Sequence, residues 1–204
     1  MKTRSPEETK RQILDVAERH FAIHGFAGTS LRGIIKDAKV NIAAIAYHFG
    51  NKEELFNAVV ERFAVPVVSE QLRQLDVVMH EGDLRSVLQS FYFPPLKLIK
   101  SKGRSGQTLA LFLGRVQTEP EPAFSLVDKH FAHCRNRFID AFLRCKPTAT
   151  QEELQWYFEF MLSLIVSFLT RQAEIRKRYS ESKDWTPEDA AERMINFCLT
   201  GMQA

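Results

Sequence analysis

Three side chains in the middle of the chain have the types and spacing to hold a metal ion or act through a thiol: His130, His133 and Cys134. His130 and Cys134 stand one helical turn apart, so an imidazole and a thiolate could share one ion. Ligands from a single turn still need a partner from elsewhere, and Cys145 and Glu159 are the available donors. Two surface or pocket histidines beside a buried thiol account for the same letters more simply, because free cysteine packs as a small apolar residue. Glu119 and Glu121 are the nearest approach to a carboxylate pair, but they sit in a proline-rich turn, Glu119-Pro120-Glu121-Pro122. No Gly-x-Ser-x-Gly, no glycine-rich phosphate loop behind a strand and no His-Glu-x-x-His occurs. The expectation is therefore no catalytic residue, no cofactor and no complete metal site. A metal- or thiol-responsive sensor or enzyme using His130, His133 and Cys134 is the alternative reading.

A different chemistry is concentrated in residues 29–52, TSLRGIIKDAKVNIAAIAYHFGNK. Residues 1–52 carry nine Lys/Arg against five acids, a net +4, which leaves −1 for the rest of the +3 chain. A basic head on a slightly acidic body suits a polyanion for the head alone. Within the stretch, Leu31, Ile34, Ile35 and Ala38 fall on one face of a helix, with Thr29 or Ser30 as its cap. Asn41 caps a second helix, whose apolar stripe is Ile42, Ile45 and Phe49. Two helices this short bury little by themselves. A helix-turn-helix unit is the economical reading, with the second helix free to enter a major groove. Arg32 pairs bidentately with guanine and Asn41 with adenine, which makes them the candidates for base edges. Ile42, Ala43 and Ala44 can meet thymine methyls or permit close approach.

Val40-Asn41, Tyr47-His48-Phe49 and Asn51-Lys52-Glu53-Glu54-Leu55 together resemble the N-terminal fingerprint of the TetR family of transcriptional regulators. Lys39 departs from it, standing where the family usually has glycine in the turn. The resemblance implies that Tyr47, His48 and Lys52 hold DNA phosphates, with Thr29 doing so at the start of the preceding helix. It also implies a homodimer on a palindromic operator, acting as a repressor.

The elements that must position this stretch are helical throughout. Ser5-Pro6-Glu7-Glu8 is a capping box with proline at the first helical position. Ile13, Ala17, Phe21 and His24 follow down one face, and Gly25 is placed to end that helix with Phe26 folding back. Lys2 and Arg4 precede it as a short basic arm. Asn51 opens the next helix, with Leu55, Phe56, Val59 and Phe63 on its apolar face and Pro66 expected to end or kink it. Beyond residue 83 the pattern predicts helices over 84–100, 107–117, 122–143, 151 to about 178, and from 187 onward. Breaks are expected at Gly82, 101–103, 119–122, 146–147 and 179–185. No stretch alternates strongly enough for a strand. The fold class is therefore all-α, with an N-terminal helix-turn-helix domain over 1–52 and a ligand-binding and dimerisation bundle over 53–204.

Pro94-Pro95 is expected to break its helix among aromatics and so leave room for a ligand. Phe91, Phe93, Phe112, Phe131, Trp156 and Phe160 are the candidate lining, with Arg115 and His130 as groups able to meet a carboxylate. The run from Asn41 to Asp76 resembles the PsrA-like, fatty-acid-responsive branch of the family, which implies a fatty acid or acyl thioester as ligand. Between Trp156 and Leu169 only Glu159, Ser163 and Ser167 are polar, so burial nearly all round is expected. Phe168 with Met194, Ile195, Cys198, Leu199 and Met202 then forms the predicted dimer interface. Three scattered cysteines give no disulfide framework, no apolar run reaches the ~20 residues of a membrane span, and a cytoplasmic protein is expected.

Overall fold

The computed structural model describes residues 5–79, 83–178 and 184–203. Its regular structure is helical: α1 (Pro6–Gly28), α2 (Leu31–Ala38), α3 (Ile42–Phe49), α4 (Lys52–Val78), α5 (Leu84–Ser101), α6 (Arg104–Val116), α7 (Ala123–Cys145), α8 (Gln151–Arg178) and α9 (Pro187–Gln203). The break expected at Gly82, part of that at 179–185, and the arm of Lys2 and Arg4 lie outside the described residues.

Helix starts follow the side chains that cap them. At α1, Ser5 accepts from the Glu8 amide while the Glu8 carboxylate accepts from the Ser5 amide, the reciprocal pair of a capping box. Asn51 and Asp83 cap α4 and α5 in the same way, by accepting from the amides of Glu54 and Ser86. Helix α1 breaks at Gly25, whose φ of 70° suits glycine, and resumes for one turn before α2. That turn brings Phe26 back onto Phe21, ring centroids 6.2 Å apart, with Phe56 edge-on to both.

Lys39 adopts φ 50° and ψ 47°, the left-handed conformation that the turn demands. A side chain there crowds its own carbonyl, so Lys39→Gly is expected to raise stability by up to about 1 kcal/mol. The gain should show as a higher urea midpoint with an unchanged slope. A lower midpoint would mean that the Lys39 side chain contributes more than its backbone strain costs.

Neither an end of α4 at Pro66 nor a break of α5 at Pro94-Pro95 occurs. Helix α4 runs unbroken through Pro66 to Val78. Pro66 and Arg62 lie on its exposed side, where water can take the carbonyl left without an N–H donor. Helix α5 is likewise continuous through Pro94 and Pro95, and both are buried. Water cannot reach the Phe91 carbonyl that Pro95 leaves unpaired. Instead the Gln71 side-chain amide on α4 donates to it at 2.8 Å.

Helix α4 belongs to both halves of the molecule. Its first turns carry Leu55, Phe56 and Val59 into a core with Ile13, Ala17 and Phe21 of α1, Ile34 of α2 and Ile45 of α3. Its later turns lie along α7 and α5, while α6 packs between α1 and α8 and α9 packs on α5. Among the described residues, no helix is long and apolar enough to cross a membrane.

The α9 part of the predicted interface is also corrected. Ile195, Met194, Cys198 and Met202 are buried within the protomer. Tyr92 of α5 ties this seam together, its hydroxyl 3.3 Å from the Met161 carbonyl and 3.2 Å from Cys198 Sγ. Of the predicted set, only Phe168 and Leu199 keep partial exposure, and the Phe168 ring packs edge-on against Trp185. Helix α8 is not buried all round either: Trp156 and Phe160 lie outside, their rings stacked at 5.9 Å, beside exposed Glu159, Ser163 and Ser167.

Candidate functional site

Helices α2 and α3 are held to the head by a few directed bonds. Ser30, not Thr29, caps α2 by accepting from the Gly33 amide at 3.1 Å. The Gln12 side chain donates to the Ala38 carbonyl at 2.8 Å, and His20 Nε2 meets Asp37 at 2.8 Å, so the C-terminal end of α2 is anchored to α1. Helix α3 buries Ile45 and Phe49 and turns Asn41, Ile42, Ala43, Ala46 and Tyr47 outward. Ile42 therefore leaves the apolar stripe assigned to it. Tyr47 is 81% exposed. Apolar side chains held out by a capped, anchored helix form a surface suited to a groove.

Within that surface the predicted residues divide. Arg32, Ala43 and Tyr47 are exposed, and Ala44 and His48 are half-buried. Asn41 is exposed, but its Oδ1 accepts from the Ala44 amide at 2.9 Å as the α3 cap. Bidentate reading of adenine uses that same oxygen, so the cap fixes the side chain and leaves one lone pair of Oδ1 for the base. Thr29 is buried, and its hydroxyl donates to the Gly25 carbonyl at 2.7 Å with the His20 carbonyl 3.1 Å away. Its place is in the hinge between α1 and α2, not on a phosphate. Lys52 turns inward as well, its ammonium 4.5 Å above the Phe26 ring and 3.5 Å from the Ala27 carbonyl. Burial lowers the Lys52 pKa, and the Glu119 carboxylate opposes that effect.

The second feature is a cavity of about 150 Å³ lined by α4 to α8, open to the surface beside exposed Phe124 and Glu159. Its walls are mainly apolar and include Phe63, Phe91, Phe131 and Phe158, so two of the predicted lining residues, Phe91 and Phe131, are present. The others are elsewhere. Phe112 faces the head, edge-on to Phe56 at 5.7 Å. Phe93 lies under the Lys97 ammonium on an outer groove between α4 and α5. Trp156 and Phe160 are on the outer face of α8, as described above. Arg115 is exposed and pairs with Glu119 at 3.3 Å. His130 shares a hydrogen bond of 2.9 Å with Asn57, and burial lowers its pKa.

The cation that does reach the cavity is Arg135, paired with Asp128 and near Glu159. Sequence periodicity placed α7 but gave no sign of which of its charges faces inward. Deeper in the wall, Cys134 Sγ approaches Gln71 Oε1 at 3.5 Å, and burial pushes its thiol up to about 12. A thiol so raised is a poor nucleophile and metal ligand at neutral pH. With His133 exposed and His130 engaged by Asn57, the three do not converge. Among the described residues no group of three His, Cys, Asp or Glu is placed to hold an ion.

Both halves match known sequence profiles. That of the bacterial regulatory proteins of the tetR family covers residues 13–59, and that of the tetracyclin repressor-like C-terminal domain covers residues 89–201, more than half of the chain. The chain belongs to the TetR family. This TetR-family chain is 42% identical over 62 residues to a helix-turn-helix transcriptional repressor of Streptomyces coelicolor, across 30% of this chain and 32% of that one. It is 39% identical over 128 residues to the dual regulator CecR of Shigella flexneri, 59% of this chain and 56% of that one. These matches thus span from about a third to just over half of the relatives' lengths. The fold is shared with the fatty acid degradation regulator FadR of Bacillus halodurans, at a TM-score of 0.70, 16% identity and 98% coverage of both chains. Both of these sequence relatives are transcriptional regulators.

Proposed function

We propose that the protein is a dimeric repressor that binds a roughly palindromic operator and is released by an apolar ligand held in the α4–α8 cavity. The observation that carries this reading is the shared wall: α4 and α6 line the cavity and also carry Phe56 and Phe112 into the aromatic cluster of the head. Residues 1–52 act as the DNA-binding head and 53–204 as the body. Two heads related by a two-fold axis would read successive major grooves about 34 Å apart or slightly more. Arg32, Ile42, Ala43 and Tyr47 offer the exposed contacts, and His48 and Lys52 reach phosphates after small rotations. The second copy would cover the outer face of α8, where Trp156 and Phe160 stand.

A cavity near 150 Å³ holds a molecule about the size of benzene. A long acyl chain must either extend through the open side of the cavity or part its walls, and parting them moves α4 and α6 against the head. Binding can shift the protein between states only as far as the ligand prefers one of them. Each further methylene that enters contributes ~0.8 kcal/mol, so release potency should rise roughly fourfold per CH₂ until the enlarged cavity is full. Arg135 takes the carboxylate-binding role assigned to Arg115 and His130, by exchanging Asp128 for the ligand. The two carboxylates near Arg135, Asp128 and Glu159, favour a second reading in which the ligand head is uncharged or cationic. A chain-length series of fatty acids, their thioesters and the matching alkylamines, titrated against bound operator, separates the two. Release by the acids in order of length supports the acyl reading, release by the amines alone supports the second, and release by none removes both.

A further inference from the structure

Helix α6 has two working sides. Leu113 and Val116 face the cavity, whereas Phe112 stands in the head cluster. One turn further, Glu119 reaches α1 at the point where it breaks. A Cβ on Gly25 would overlap the Glu119 carboxylate, lying 2.9 Å from its Cδ and 3.0 Å from Arg115 Nε. The carboxylate thus occupies a notch that exists only because residue 25 has no side chain. Glu119 is nearly covered, with a side-chain exposure of 9%, and Arg115 donates to it. Beside the notch are Phe26 and the Ala27 carbonyl, and over them lies the Lys52 ammonium. A carboxylate, a partly buried ammonium and the start of α4 therefore meet at the seam between head and body.

We propose that Glu119 is a positioning residue for operator binding: its carboxylate, seated in the Gly25 notch, holds the head to α6 and draws Lys52 inward, so that DNA phosphate and Glu119 are alternative partners of Lys52. This rests on the reading above that Lys52 meets phosphate. Binding DNA then moves Lys52 away from an anionic neighbour, so it adds less to counterion release than a free lysine would. Removing the Glu119 charge frees Lys52 in advance.

The test uses the full chain and DNA fragments selected by the wild-type protein from a random pool, with affinity measured across a salt series. Glu119→Gln, which keeps the shape and removes the charge, should bind about threefold more tightly at low salt, with the advantage fading as salt screens it. Its salt slope should steepen by up to about one unit. Lys52→Ala should flatten the wild-type slope by clearly less than one unit, the two changes together amounting to the share of one phosphate contact, and adding Glu119→Gln to Lys52→Ala should then change nothing further. Matched thermal midpoints exclude a change in folding. If Lys52→Ala leaves the slope unaltered, the phosphate role of Lys52 fails. If Lys52→Ala flattens it and Glu119→Gln behaves as wild type, the phosphate role stands and the exchange with Glu119 is overturned.

Discussion

Ile195→Glu is expected to leave no stably folded protein, whereas Phe160→Glu is expected to fold as a monomer that has lost its operator. Ile195 is 0% exposed, pressed by α9 against α5 beneath the Tyr92 seam. A glutamate there must bury a charge with no partner or take up a proton, and it opens a packing defect as well. The combined cost is several kcal/mol against a net stability of about 5–15 kcal/mol. Phe160 is 58% exposed and stacks only on Trp156, so a glutamate there reaches water without disturbing the core. What it disturbs is the proposed two-fold contact across α8, where two carboxylates would meet in place of two rings. Losing the second head removes its avidity, a factor of ~10²–10⁴ in operator affinity. Circular dichroism and sedimentation of both variants decide the matter. A folded, monomeric Ile195→Glu would return the interface to the apolar face of α9, and a dimeric Phe160→Glu would remove it from α8.

These two positions also show where sequence pattern stops being informative. Periodicity found α9 and its apolar stripe, but an apolar stripe states only that something covers it. Whether the cover is α5 of the same chain or a second copy depends on tertiary arrangement, and here α5 takes it. The head was legible for the opposite reason. Its information is local: Ser5, Asn41 and Asn51 cap within three residues, and the family resemblance marks Lys39 as the turn position that the structure shows to be left-handed. Thr29 was misread because a hydroxyl before a helix looks like a cap or a phosphate ligand, and only the break at Gly25 reveals the carbonyls it satisfies. Arg135 was missed because Arg115 and His130 look equally suitable until α6 and α7 are rotated into place.

Gln71 makes the same point and carries the second large expectation. Mid-helix proline predicts a break because it strips a donor from the carbonyl four residues back, yet α5 is continuous through Pro94 and Pro95. The Phe91 carbonyl is paired across the helix interface by a glutamine only 4% exposed. Gln71→Leu removes that donor from a site water does not reach, and the stranded carbonyl should cost about 1–3 kcal/mol. Restoring an N–H from α5 itself, by Pro95→Ala in the Gln71→Leu background, should recover a large part of the loss, with a coupling energy near 1 kcal/mol or more. Gln71→Glu adds a pH signature. Only the protonated acid can donate to Phe91, and burial raises its folded pKa above the unfolded value. Its stabilising effect is then fully present below about pH 4.3 and is lost as pH rises through the raised folded pKa. Urea midpoints across pH measure all three variants. Equal losses from Gln71→Leu with and without Pro95→Ala would mean that the Phe91 carbonyl is not what Gln71 protects.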